Sequence, residues 1–339
     1  MDCLYNHLER RFKEVFFLWR LVMKKIIDNI KFEEIKYSCG YGAINNVLNN
    51  YGYLLNEHKV YFLCGGFNFE FLEQTGHIGY SNLFNTYKIL SKICEVSYLN
   101  KKIDYTFIEE KIKNSIDKDE MILIYVTNKA LKHHNLKAPV YPFHMLIIYG
   151  YDTDKNTLEV ADLYIITETG EKQSFIGAID KDILLSNMVD CIFIKRLHTK
   201  NIKPTKIICD NIKEYYQSQY IDSLYYFIKN IKINFQKDIE QYCNQFPNFI
   251  IPAKWNIFIP FFNSSIQLCK EFNLFKLEEK FSNVYLHINS IILQMIKMGY
   301  KKNISKILEY INIFEEYWRK AIGLLECLRN ILEEKNDNE

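Results

Sequence analysis

No Cys-x-x-Cys pair occurs in this chain, although nine cysteines are scattered along it. An odd count at wide spacings argues against a disulfide framework, and the missing pairs argue against a structural zinc site of ordinary spacing. The thiols are expected to be reduced and mostly buried. Proline and glycine are scarce, at 6 and 12 of 339 residues, which argues against long disordered linkers. Neither sign of charge dominates. The 43 basic and 41 acidic side chains leave a net charge of +2, without the basic excess that a sequence-independent hold on nucleic acid needs. Long hydrophobic runs are missing too. The apolar stretch 15–23 is interrupted by Arg20 and is far shorter than the ~20 residues of a membrane-spanning helix. No small-residue cleavage site follows it. These absences point to a soluble cytosolic protein with no membrane or nucleic-acid partner.

What is present is a chain that is 48% hydrophobic and changes character near residue 200. Before that point, strand-length apolar runs alternate with helical stretches. The runs are 121–126 (MILIYV), 143–151 (FHMLIIYGY), the alternating 157–163 (TLEVADL) and 190–197 (DCIFIKRL). Asp152-Thr153-Asp154-Lys155-Asn156 between the second and third is a turn-forming cluster, so these two read as a hairpin within an antiparallel sheet. Helices are expected over 43–51, 57–63, 82–93 and 107–116, the last opened by a Thr106/Glu109 capping box. The fold class is α+β, followed by an all-helical part. Polar residues 198–204 mark the boundary, giving domains 1–200 and 205–335. In the second, Val284, Ile288, Ile291, Ile292 and Met295 form one apolar stripe, with His287 on the same face. Another runs Ile304, Ile307, Leu308, Ile311, Phe314, Trp318 and Ile322. Pro247, Pro252 and Pro260 interrupt the helical pattern between them.

Cys39 falls where a helix should begin. Ala43, Ile44, Val47, Leu48 and Tyr51 make an apolar stripe, and Gly52 is a natural stop. Unpaired backbone N–H groups and the positive dipole end favour an anion there, and a thiolate is such an anion. Gly40 and Gly42 would leave room beside the sulfur. His144 opens the apolar run 144–151, as a base at a sheet edge or as a satisfied core histidine. Asp162 ends the next strand. Counted from the turn, the two differ by two residues, which a bulge or a choice of register can absorb. A carboxylate behind an imidazole fixes its tautomer and stabilises the imidazolium.

Four stretches together resemble the butirosin biosynthesis protein H family, whose N-terminal domain is related to papain-like cysteine peptidases. They are YSCGYGAINNVLNNYG, the segment Leu63-Cys64-Gly65-Gly66-Phe67-Asn68-Phe69, FHMLIIYGYD and LEVADLY. Bacteriocin-processing cysteine peptidases look similar in layout. The resemblance implies a papain-like N-terminal domain with Cys39 as nucleophile, His144 as base and Asp162 as orienting acid. It also implies acyl transfer from a thioester on an acyl or peptidyl carrier protein to an amine of a small molecule, in natural-product biosynthesis. No cofactor of its own is then needed, the acyl group arriving on the carrier's phosphopantetheine. Gly65 and Gly66 would border the substrate cleft beside Gly40. One departure shapes the chemistry. Papain-like peptidases carry a glutamine shortly before the cysteine, and residues 32–38 (FEEIKYS) contain none. The oxyanion hole would then use the Cys39 N–H and another donor, which suits an activated thioester better than a peptide. A peptidase, amidase or thioesterase is the alternative, and an inactive binding protein the second.

Other residues read more plainly. Cys64 at a helix end is disfavoured as a thiolate. His133 and His134 are expected to be solvated loop residues rather than metal ligands, so no metal is expected. His77 reads as an ordinary residue near an entrance. Trp255 and Trp318 read as core of the helical part, which would cover one side of the cleft or dock a partner.

Overall fold

The computed structural model describes residues 24–72, 77–80, 83–100, 104–134, 143–167, 171–196, 203–237 and 253–336, with single positions at 102 and between 243 and 251. The apolar run 15–23 and most of the expected boundary at 198–204 lie outside them. The fold is α+β: an antiparallel sheet in the first part and helices in the second. The chain divides into two compact units that are not consecutive in sequence. One comprises Met1–Glu33 and Ser97–Arg196, the other Glu34–Val96 and Leu197–Glu339.

The sheet unit is built on strands β1 (Lys24–Ile26), β4 (Val96–Asn100), β5 (Ile122–Thr127), β6 (Phe143–Asp152), β7 (Thr157–Ile166), β8 (Lys172–Asp180) and β9 (Met188–Ile194). Its order is β4-β9-β5-β6-β7-β8, with β1 joining β6. β5 pairs β6 from Thr127↔Phe143 to Ile122↔Ile148, and β1 then takes over at Gly150 to Asp152. The backbone of Lys25 passes so close to Gly150 that a Cβ there would meet the Lys25 carbonyl at 2.8 Å. The β6–β7 hairpin is the one the turn cluster predicted. Asp152 Oδ1 accepts the N–H groups of Asp154 and Lys155, both at 3.1 Å, and Asn156 takes a left-handed φ of 53°. Helices α4 (Tyr105–Ile116) and α5 (Lys181–Ser186) complete this unit. α4 starts two residues earlier than expected. Its cap is Asp104, which accepts from the Thr106 N–H at 2.8 Å, while Glu109 instead pairs with Lys113 and Lys181, each at 2.8 Å.

The helical unit contains α1 (Cys39–Asn50), α2 (Glu57–Leu63), the hairpin β2 (Phe69–Leu72) and β3 (His77–Tyr80), and α3 (Leu83–Leu90). Its later part holds α6 (Pro204–Tyr216), α7 (Tyr220–Lys237), α8 (Ile259–Glu271), α9 (Phe275–Tyr300) and α10 (Ile304–Asn336). A π-helical turn, Lys254–Phe258, leads into α8, and Pro260 sits in its first turn, where its missing N–H costs nothing. α10 buries Ile307, Ile311, Phe314, Trp318, Ala321, Leu325, Leu328 and Leu332. Their strict alternation of four- and three-residue steps is a heptad seam, and it packs on the buried stripe of α9. His287 is not in that stripe; it is exposed and stacks on Tyr317 with centroids 4.7 Å apart. Trp318 is core, as expected. Its ring lies 5.1 Å from Phe261, 5.5 Å from Phe258 and 5.6 Å from Phe69. Among the described residues, no helix is long and apolar enough to cross a membrane.

Candidate active site

Asp162 has no exposed side-chain surface, and two irregularities of the sheet flank it. The β6–β7 register shifts between Ile148 and Gly150, and the β7–β8 register shifts between Asp162 and Ile165. Bulges of this kind re-aim side chains. The first supplies the register change that the count from the turn required. Ile147 pairs with Ala161, so Asp162 and His144 project from the same face of the sheet. His144 Nε2 lies 2.8 Å from Asp162 Oδ1, and the imidazole is 1% exposed.

Two further imidazoles reach the same carboxylate. A short 3₁₀ turn, Lys132–His134, follows β5, closed by the His134 N–H donating to the Leu131 carbonyl at 3.0 Å. His133 Nε2 and His134 Nε2 both meet Asp162 Oδ2, at 2.9 and 2.6 Å. The expectation of solvated loop histidines is overturned, since their side chains are only 11% and 10% exposed. Phe175 pairs with Asp162 across β7 and β8, and the His133 ring stacks on it at 4.4 Å. The His134 ring sits edge-on between those of His133 and His144, 4.8 Å from each. Burial opposes ionisation of Asp162. His144 and the three hydrogen bonds outweigh it and hold the carboxyl well below its ordinary range. Burial likewise pushes the His134 pKa down, against the pull of Asp162.

Cys39 is the first residue of α1, in the other compact unit, and its thiol is free and partly exposed. Ser38 is extended before it, and the Gly42 N–H donates to the Ser38 carbonyl at 2.9 Å to close the first turn. The approach to the cysteine is tied by Glu57, a residue the sequence did not single out. Its Oε1 accepts the N–H groups of Tyr37 and Ser38, both at 2.9 Å, and its Oε2 accepts that of Lys36 at 2.7 Å. Glu57 opens α2, where the dipole favours a carboxylate. Glu33 and Glu34, which stand where the glutamine is missing, are exposed. Gly42 serves packing rather than substrate access, because a Cβ there would run into Ile35.

Gly65 and Gly66 are buried, and packing explains both. Gly65 adopts a φ of 64° beyond α2, and a Cβ on Gly66 would strike the Tyr61 ring. Gly40 is partly exposed beside Cys39. Burial pushes the Cys64 thiol far up. All described cysteines are free thiols. The side chain of His77 lies outside the described residues.

The α+β protein thus has a cysteine opening a helix in one unit and a histidine–carboxylate pair on the antiparallel sheet of the other. Residues 38–163 match the model of a family described as Butirosin biosynthesis protein H, N-terminal. The matched stretch begins one residue before Cys39, ends one residue after Asp162, and includes His144. No curated protein matches the chain.

Proposed function

We propose that the chain is a cysteine-dependent acyltransferase of natural-product biosynthesis, moving an acyl group from a carrier-protein thioester to a small-molecule amine. The family named above carries the biosynthetic part of this reading. The observation that carries the chemistry is the buried His144–Asp162 pair at 2.8 Å, lying with Cys39 inside the matched residues. With Nε2–H donated to Asp162, the lone pair of neutral His144 is on Nδ1, and that atom takes the thiol proton. The Cys39 thiolate attacks the thioester carbonyl. A new C–S bond forms, the donor's C–S bond breaks, and the carrier thiol leaves with the proton from His144. The amine then attacks the acyl-enzyme, a C–N bond forms, Cys39 departs as thiolate, and the amine's proton passes to His144. A thioester carbonyl is already activated towards attack, so it asks for less oxyanion stabilisation than peptide cleavage does, in keeping with the absent glutamine. The papain-like relation belongs to the same proposal.

The test is intact-mass spectrometry after incubation with an acyl-pantetheine thioester. The full chain is expected to gain the acyl mass on Cys39 and to lose it when a primary amine is added, with amide as product. Cys39→Ala should show no gain, and Asp162→Asn should slow it by about 10²–10⁴-fold through the wrong tautomer. An equal mass gain in Cys39→Ala removes the assignment. Release of free acid whether or not amine is present replaces acyl transfer by hydrolysis. No adduct with any thioester leaves a binding protein.

A further inference from the structure

One histidine suffices to receive support from Asp162, yet three imidazoles present Nε2 to it. Two of them come from adjacent residues, whose side chains would diverge on a regular helix or strand. The tight turn Lys132–His134 turns both inward, and the stack of His133 on Phe175 fixes its ring. The donor atoms of His133, His134 and Asp162 all lie within 4.8 Å of one another. His144 Nε2 lies 2.8 Å from Oδ1, the other oxygen of the same carboxylate. Ligands about 2.0–2.1 Å from a tetrahedral ion stand about 3.3 Å apart. The imidazole–carboxylate separations of 2.6–2.9 Å need to open by less than an ångström, and the widest spacing within the His133, His134 and Asp162 set, up to 4.8 Å, needs to close by about 1.5 Å. The approach is graded. Asp162 and His144 are sealed, whereas His133 and His134 keep about a tenth of their side-chain surface in solvent.

We propose that His133, His134 and Asp162 bind a divalent transition-metal ion of the zinc class, with His144 Nε2 as the fourth donor. Three imidazoles and one carboxylate suit borderline ions rather than magnesium or calcium, which take oxygen ligands. An ion held there takes Asp162 away from orienting His144 and engages the ring itself, so the metal-bound form is inactive in acylation of Cys39. That consequence rests on the acyl-transfer reading; the binding site does not.

The experiment titrates Zn²⁺ into the chelator-washed full chain against a chromophoric chelator, in a non-coordinating reductant. The expected result is one bound equivalent. His133→Gln/His134→Gln keeps amide donors for Asp162 but removes two imidazole ligands. It should weaken binding beyond the about 10–100-fold that loss of an outer-shell partner costs. Cys39→Ser should bind zinc as tightly as the parent chain. Co²⁺ loaded into the unmutated chain should show ligand-field bands without a thiolate charge-transfer band, a readout that does not depend on any variant folding. No stoichiometric zinc, unchanged affinity in the double glutamine variant, or a thiolate band would each overturn the site. If zinc binds as described and no variant or parent acylates, the acyl-transfer reading fails and the metal site stands.

Discussion

At the scale of single residues, Glu57 does more for the proposed nucleophile than any residue beside it in sequence. Three consecutive N–H groups converge on one buried carboxylate, at 2.7–2.9 Å, immediately before Cys39. Hydrogen bonds to a charged group contribute about 1.5–3 kcal/mol, and a donor left facing a donor costs the desolvation of that group. Glu57→Gln retains one acceptor oxygen and sets its NH₂ against at least one of these N–H groups. Its expected cost is about 2 kcal/mol by urea unfolding, with a slower acylation of Cys39 at saturating thioester. Unchanged stability and rate together would remove the role. Legibility at this scale was uneven. His144 and Asp162 were readable because a hairpin turn of recognisable chemistry lies between them. Glu57 was not, since its partners are backbone groups some twenty positions away and leave no pattern in side-chain identity. His133 and His134 stand out as a pair, but adjacency suggests divergence on regular structure, and a 3₁₀ turn is not regular in that sense.

Among elements, the strands that matched expectation are those buried on both faces or strictly alternating, such as β5, β6 and β7. β8 carries little strand signal because it shows an exposed, polar face, and its pairing with β7 supplies what its own sequence does not. Helical spacing alone puts Ile304, Leu308 and Ile322 in the stripe of α10; the buried set follows the narrower heptad seam that a helix partner selects. A charged joint between elements gives a pH-dependent prediction. Glu109 of α4 meets Lys113 one turn on and Lys181 at the start of α5. Burial opposes its charge, and the two ammonium groups outweigh burial, so its pKa is lowered. A lowered carboxyl pKa contributes stability above the unfolded value, about 4.3, and that contribution is lost as pH falls through the folded value. Glu109→Gln should therefore cost up to about 1 kcal/mol at pH 7, the ceiling for a pair near the surface. The gap between variant and parent should close on acidification below that range. A gap of the same size in urea unfolding at pH 7 and at pH 3 would show that the ion pairs contribute nothing.

For the whole molecule, the decisive feature is that residues 34–96 cluster with the helices after residue 197 rather than with the sheet between them. Composition changes near residue 200, so a boundary there is what a sequence shows; a segment that joins a later one in space changes no local pattern. Particular side chains make the join. Asn211 of α6 donates to the carbonyls of Phe62 and Leu63 at 3.1 and 3.0 Å, satisfying acceptors at the end of α2. His58 of α2 meets Glu271 of α8 at 2.8 Å, Phe67 packs on Tyr215, and Phe69 packs on Trp318. Phe62, Phe67 and Phe69 have no exposed surface. Fully exposing such a side chain costs about 1.5–3 kcal/mol, so uncovering three approaches the about 5–15 kcal/mol that holds a domain folded. A fragment ending at Arg196 keeps Cys39, His144 and Asp162 and every residue of the family match, yet it should fail as a folded protein. It is expected to be insoluble or to melt without cooperativity, and coexpression with a 197–339 fragment should restore a soluble complex. If the 1–196 fragment purifies as a monomer with a cooperative thermal transition, the later helices are an accessory. If only the pair of fragments does so, they are part of the scaffold that carries α1 and its cysteine.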